Sequence, residues 1–204
     1  QQFINTKGNF NYWLYGSYGL RIKKLEMHFN VNANASGGRY VNFVNNLKNV
    51  SDNTAVGLGL TLGKYKEEKY DVSINTEFNY NRQQSSISNQ TTTFWSQIHT
   101  ARVNVFATKR LQLGSEAYFY IREKTDAFTG NNNFTVWDAN LDYKFFKKRN
   151  GVIRLEIKDI LKQRRGYERT VNSNYVFERN YNMLGRYAML SFIWNFQKNP
   201  GEIK

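Results

Sequence analysis

Leu25-Glu26-Met27-His28-Phe29-Asn30-Val31-Asn32-Ala33-Asn34-Ala35 alternates apolar and polar residues with hardly a break. Successive side chains of a β-strand point to opposite faces. Leu25, Met27, Phe29, Val31, Ala33 and Ala35 therefore share one face, with Glu26, His28, Asn30, Asn32 and Asn34 on the other. A helix would scatter the same apolar residues around its circumference. The period of two returns at residues 70–80, where Tyr70, Val72, Ile74, Thr76, Phe78 and Tyr80 oppose Asp71, Ser73, Asn75, Glu77 and Asn79. At residues 111–122, Leu111, Leu113, Ala117, Phe119 and Ile121 stand against Gln112, Glu116, Tyr118, Tyr120 and Arg122. Segments 10–22, 55–62, 101–107, 135–145 and 153–157 also fit, and residues 185–196 end the series with Ala188, Leu190, Phe192, Trp194 and Phe196 on one face. The pattern predicts an all-β chain of about nine strands.

Composition agrees. The 204 residues include one proline, 14 glycines, 15 phenylalanines, 14 tyrosines and 27 asparagines, a mixture of strand and turn formers. Cysteine is absent, which excludes a disulfide framework, Cys-ligated metal and thiol catalysis. The two histidines, His28 and His99, stand in no metal-ligand spacing, so neither a metal nor a cofactor is expected. Lysine and arginine outnumber acidic residues by 29 to 16, a net charge of +13.

Several of the alternating segments reach ten residues or more, whereas ordinary strands average about 5–6. A tilted membrane-crossing strand needs roughly 9–11. The chain is polar on average, yet such a strand needs apolar residues at alternate positions only. No apolar run is long enough for a membrane helix. The connections add a second argument, because short and long ones alternate along the chain. The short ones are Lys23-Lys24, residues 64–69, Lys109-Arg110 and residues 147–150; the long ones are residues 36–53, 82–93, 126–132 and 162–181. Outer-membrane barrels join strands in this way, with short periplasmic turns and long extracellular loops. The predicted fold class is an antiparallel transmembrane β-barrel segment in the cell outer membrane.

The residues Asp159-Ile160-Leu161-Lys162-Gln163, Arg169-Thr170-Val171, Asn174-Tyr175 and 184–196 (LGRYAMLSFIWNF) resemble the closing strands of a known family. So do Val44-Asn45-Asn46-Leu47-Lys48-Asn49-Val50, residues 64–71, Lys124-Thr125-Asp126-Ala127-Phe128 and Asn131-Asn132-Asn133. The family is the outer-membrane β-barrel family of Bacteroidota, related to TonB-dependent receptors. The resemblance implies that complete members carry an N-terminal β-domain, a plug and a large barrel. Residues 1–196 would then be the C-terminal part of such a barrel and residues 197–204 a polar tail. Nine is odd whereas bacterial single-chain barrels have an even number of strands, so the first and last strands would be exposed edges. The N-terminus has neither an initiator methionine nor a signal region, which predicts processing or excerpting from a longer chain.

On this reading Leu25, Met27, Phe29, Val31, Val72, Ile74, Phe78, Leu190, Phe192, Trp194 and Phe196 meet lipid. By the resemblance, Leu190, Phe192, Trp194 and Phe196 form the signal read by barrel-assembly machinery. Tyr12, Trp13, Tyr18, Trp137, Tyr143, Trp194 and Phe196 are candidates for aromatic girdles. Expected partners are membrane lipids and lipopolysaccharide, the assembly machinery, a plug, the remaining strands and an unidentified solute. Gly37-Gly38 opens a long loop, and Gly57 and Gly59 leave the polar face bare, either for close approach and curvature or as local strand bends. Carboxylates such as Glu77 and Glu116 belong to a polar lumenal network, and no enzymatic reaction is expected. A stand-alone small barrel of structural or adhesive role is the alternative. A soluble basic nucleic-acid-binding β-protein is a weaker one, because the aromatics lie on apolar faces and the positive charge lies in turns.

Overall fold

A computed structural model describes residues 6–87, 89–125, 130, 132–171 and 176–196. Nine strands form one sheet: β1 (Phe10–Ile22), β2 (Met27–Val44), β3 (Leu47–Lys66), β4 (Tyr70–Ser85), β5 (Gln90–Phe106), β6 (Leu111–Arg122), β7 (Phe134–Phe145), β8 (Gly151–Lys158) and β11 (Tyr187–Trp194). Each strand pairs antiparallel with its neighbour in that order. β9 (Gly166–Val171) and β10 (Val176–Tyr181) make a separate hairpin within the connection from β8 to β11. No helix of the described residues is long and apolar enough to cross a membrane. The sheet is open, and its outermost strands are β1 and β11.

Strand existence follows the alternation, and β1 and β6 keep the expected bounds. Other expectations need correction. Leu25 sits in the 3-10 turn Lys23–Leu25, and Glu26 beyond it takes φ 53°, so the strand face begins at Met27. Phe196 follows the end of β11. The segment expected as a loop at 36–53 is strand: β2 and β3 stay paired as far as Val44 and Leu47. Asn45 and Asn46 reverse the chain there with φ 50° and 65°. Asparagine tolerates that left-handed geometry, which two-residue hairpin turns require at both positions. Gly37 and Gly38 lie inside β2, under Tyr12 and Phe10 of β1. Likewise β4 continues to Ser85 and β5 starts at Gln90, leaving a short turn where residues 82–93 read as a loop. The tail at 197–204 lies outside the described residues.

Register gathers the apolar residues onto one side. Directly paired residues share a face, and one row of pairs joins Tyr18, Val31 and Leu60. Another joins Leu113, Leu141, Leu155 and Leu190. Nothing in the described chain packs over this side, and the buried apolar residues are only Phe134, Val136 and Val152. The accessible surface is 15058 Å². A compact monomer of 24.0 kDa would expose roughly 9,900 Å² by the usual size scaling. The excess is that of a sheet still lacking a layer.

The sheet also curls. Arg149 in the β7–β8 turn reaches Glu68 in the β3–β4 turn at 3.5 Å. Four strand spacings of about 4.8 Å would hold those turns about 19 Å apart on a flat sheet. Glycines on the polar face make room for side chains of the next strand: a Cβ on Gly59 would stand 2.6 Å from the Asn32 amide, and one on Gly57 would collide with Asn34. Bare backbone at Gly57 and Gly59 is thus covered by asparagines of β2.

Two glycines separate tight from loose positions. A Cβ on Gly38 would strike the Phe10 carbonyl, which belongs to the backbone and cannot rotate away, whereas one on Gly16 meets nothing within 4 Å. Gly38→Ala should destabilise by about 1–3 kcal/mol. Gly16→Ala should be near neutral, with urea midpoints of the purified variants as the readout.

Candidate functional site

The outer face takes the expected lipid-facing residues of the strands. Met27, Phe29 and Val31 of β2 pair with Lys64, Leu62 and Leu60. Val72 and Ile74 of β4 continue the rows of Lys64 and Leu62, and Phe78 pairs with Leu58 on the same face. Leu190, Phe192 and Trp194 of β11 are 72%, 61% and 57% exposed. Tyr12, Tyr18, Trp137 and Tyr143 belong to this face. Trp13 does not: it pairs with Ser36, faces the polar side and stacks on Tyr15 at 5.9 Å. Alternation alone could have shown this, since Trp13 and Tyr12 are adjacent in a strand. The outer face also holds His99, where the alternation of β5 weakens. Its Nδ1 lies 3.1 Å from Thr76 Oγ1 and its Nε2 lies 3.0 Å from Gln97 Oε1, so the ring is hydrogen-bonded at both nitrogens.

The inner face is a polar wall. Asn32, Asn34, Asn75 and Asn79 line β2 and β4 beside the glycines of β3. From β5 to β8 the wall becomes ionic. Arg102 binds Glu116, and Arg154 grips Asp142 in a two-pronged contact at 2.8 and 2.6 Å. Lys158 bridges Asp138 and Glu156 at 3.1 and 3.0 Å. All of these groups except Asp142 border a trough of about 340 Å³ that also touches Asp71 of β4. Glu116, Asp138, Asp142 and Glu156 each have a cation beside them. Among the described residues no group of three or more His, Asp or Glu is placed to hold a metal ion.

Above the trough the chain after β8 is pinned by two buried aspartates. Asp159, 1% exposed, accepts the amides of Gln163 and Arg164 at 3.0 and 3.1 Å. Asp138 accepts the Asp159 amide at 2.8 Å. The β9–β10 hairpin then folds onto the inner wall. Arg122 of β6 lies among the rings of Tyr120, Phe134 and Tyr167, at 5.5, 5.4 and 4.8 Å. Arg169 donates to the Glu123 carbonyl and to the Tyr167 hydroxyl, and Asn132 donates to Glu178. Burial pushes the Tyr167 phenol above its ordinary pKa. In the outlying end of β2 and β3, the Arg39 guanidinium holds Asp52 below the usual carboxylate range. A second cavity of about 480 Å³ lies between the hairpin and the wall, bordered by Asn79, Asn81, Phe94 and Arg169. The alternation of Tyr167, Arg169 and Val171 marks the hairpin in sequence; its seat against Arg122 is set by contacts more than 40 residues apart.

The arrangement can hold a polar solute against an amide and ion-pair surface. Asp159→Ala would leave the Gln163 and Arg164 amides without acceptors, at about 1–3 kcal/mol. Faster trypsin cleavage after Lys162, Arg164 and Arg165 is the expected readout, and unchanged cleavage would count against the anchor. No protein-family model matches the chain, and no curated protein is detectably similar to it.

Proposed function

We propose that this chain is the C-terminal part of a larger outer-membrane β-barrel, TonB-dependent-receptor-like as its sequence resembles, and that the complete barrel binds or passes a solute. The observation that carries the reading is the apolar face running across nine strands with nothing among the described residues over it. Acyl chains would cover that face, and the polar wall would line the lumen. β2 to β7 have 12 to 20 residues each, enough to cross with residues to spare. Met27, Phe29, Val31, Val72, Ile74, Phe78, Leu190, Phe192 and Trp194 meet lipid. Leu190, Phe192, Trp194 and Phe196 present the assembly signal.

Strand direction supports a larger barrel. Eight antiparallel steps separate β1 from β11, so the two run the same way. Closing them on each other, or on a second copy in the same membrane orientation, would create a parallel seam. An antiparallel closure needs an odd number of further strands, which also restores the even total of bacterial barrels. Paired closure is required because hydrocarbon offers no partner to backbone groups. A plug and barrel-assembly machinery are the protein partners, and lipopolysaccharide is the outer-leaflet neighbour. No reaction is assigned; Glu116, Asp138, Asp142 and Glu156 are tied to cations.

Fractionation of the full parent protein, followed by gel mobility with and without boiling, tests the reading. Outer-membrane recovery and a heat-dependent shift are expected, and recovery in the soluble fraction would overturn it. In the folded barrel, Leu190→Arg should cost about 2–4 kcal/mol if the position lies near the bilayer midplane. Ser191→Arg, turned to the lumen, should cost far less. Urea unfolding in lipid vesicles separates the two, and equal losses would argue against a lipid-facing β11.

A further inference from the structure

The turns joining β1 to β2, β3 to β4, β5 to β6 and β7 to β8 all lie at one end of the sheet, as antiparallel order requires. Residues 23–26, 67–69, 107–110 and 146–150, which lie between those strands, carry eight basic and three acidic side chains. That surplus of five is more than a third of the chain's +13. Solvation of a turn is served by glutamate as well as by lysine, so it accounts for charge and gives no preference for its sign. Pairing differs too. Arg102, Arg154 and Lys158 of the inner wall are each ion-paired, whereas among the described turn cations Arg149 alone is, and its contact with Glu68 is a long 3.5 Å.

An aromatic cluster stands beside the most basic of these turns. Phe145 packs on Phe146 at 4.4 Å and on Phe192 at 5.6 Å, and Trp194 packs on Phe146 and Phe196 at 6.3 and 5.9 Å. Lys148, Arg149 and Asn150 form one bank of an open groove of about 650 Å³, and Trp194, Asn195 and Phe196 form the other. The Asn195 amide donates to the Asn150 carbonyl at 2.8 Å and ties the banks together. Cations above an aromatic and apolar surface match a molecule with an anionic head and hydrocarbon tails, because aromatic side chains settle at the headgroup level.

Resting on the membrane reading above, we propose that this groove binds the headgroup of an anionic phospholipid from the leaflet on the turn side. Lys148 and Arg149 hold the phosphate, and the acyl chains run past Trp194 along the outer face of β11. Each cation near an anionic lipid surface contributes about fivefold in binding.

The test uses the detergent-purified full parent protein and pyrene-labelled phosphatidylglycerol, with pyrene-labelled phosphatidylcholine as the neutral comparison. Tighter binding of phosphatidylglycerol is expected. The double variant Lys148→Gln/Arg149→Gln should lose roughly 25-fold, while Lys48→Gln, at the far end of the β2–β3 hairpin, should change little. Equal affinity for the two lipids, or full preference in the double variant, would overturn the site. Displacement by inorganic phosphate at matched concentration would show an ion site in place of a lipid site. Gel mobility of the same samples with and without boiling reports barrel closure separately. A closed barrel without lipid preference sinks this proposal alone, and an unclosed chain sinks the membrane reading beneath it.

Discussion

The hydrophobic effect acts on this sheet from one side only. Rows such as Leu113, Leu141, Leu155 and Leu190 line up across neighbouring strands, and the described chain places no second layer above them. In water each such residue would forgo on the order of 1.5–3 kcal/mol of burial. The whole face would be an aggregation surface. The remaining features are arranged around that constraint: long strands, polar residues kept to one side, aromatics near the ends of the apolar zone and basic turns beyond it.

On the other side the problem is reversed, because a polar wall must stay ordered without an apolar core beneath it. Hydrogen bonds and ion pairs supply that order. Asn32 and Asn34 lie over Gly59 and Gly57 where a side chain would have no room. Between β5 and β8, opposite charges pair across strands at Arg102 and Glu116 and at Asp142 and Arg154, whereas Glu116 and Asp138 stand opposite each other. Pairing of this kind fixes side-chain positions more than it adds stability, since partly exposed ion pairs contribute little net free energy. The β9–β10 hairpin uses a different device. Arginine planes against aromatic rings hold it against the inner wall, and the buried Asp138 and Asp159 fix the chain that leads into it.

How far the sequence could be read depended on where each residue stands. Within the apolar zone the two faces meet different surroundings, so period two is strict, and β1 and β6 have the bounds that alternation predicts. Beyond that zone the two faces differ little in polarity. The outer ends of β2, β3, β4 and β5 therefore carry asparagine, glutamine, serine and threonine on both sides and read as loops. Trp13 and His99 break the correspondence between residue type and face. One is an aromatic turned inward beside Tyr15, and the other is a histidine made tolerable on the outer face by Thr76 and Gln97.

The sequence by itself determined which residues share a face, because that depends only on positions two apart. It likewise set the nine-strand count of the sheet and the charge of the turns. Tertiary structure alone decided the register, the curl of the wall, the pairing of its charges and the seat of the hairpin. Those features depend on which residues meet across strands, and partners such as Arg169 and the Glu123 carbonyl are brought together only once the intervening strands are in place.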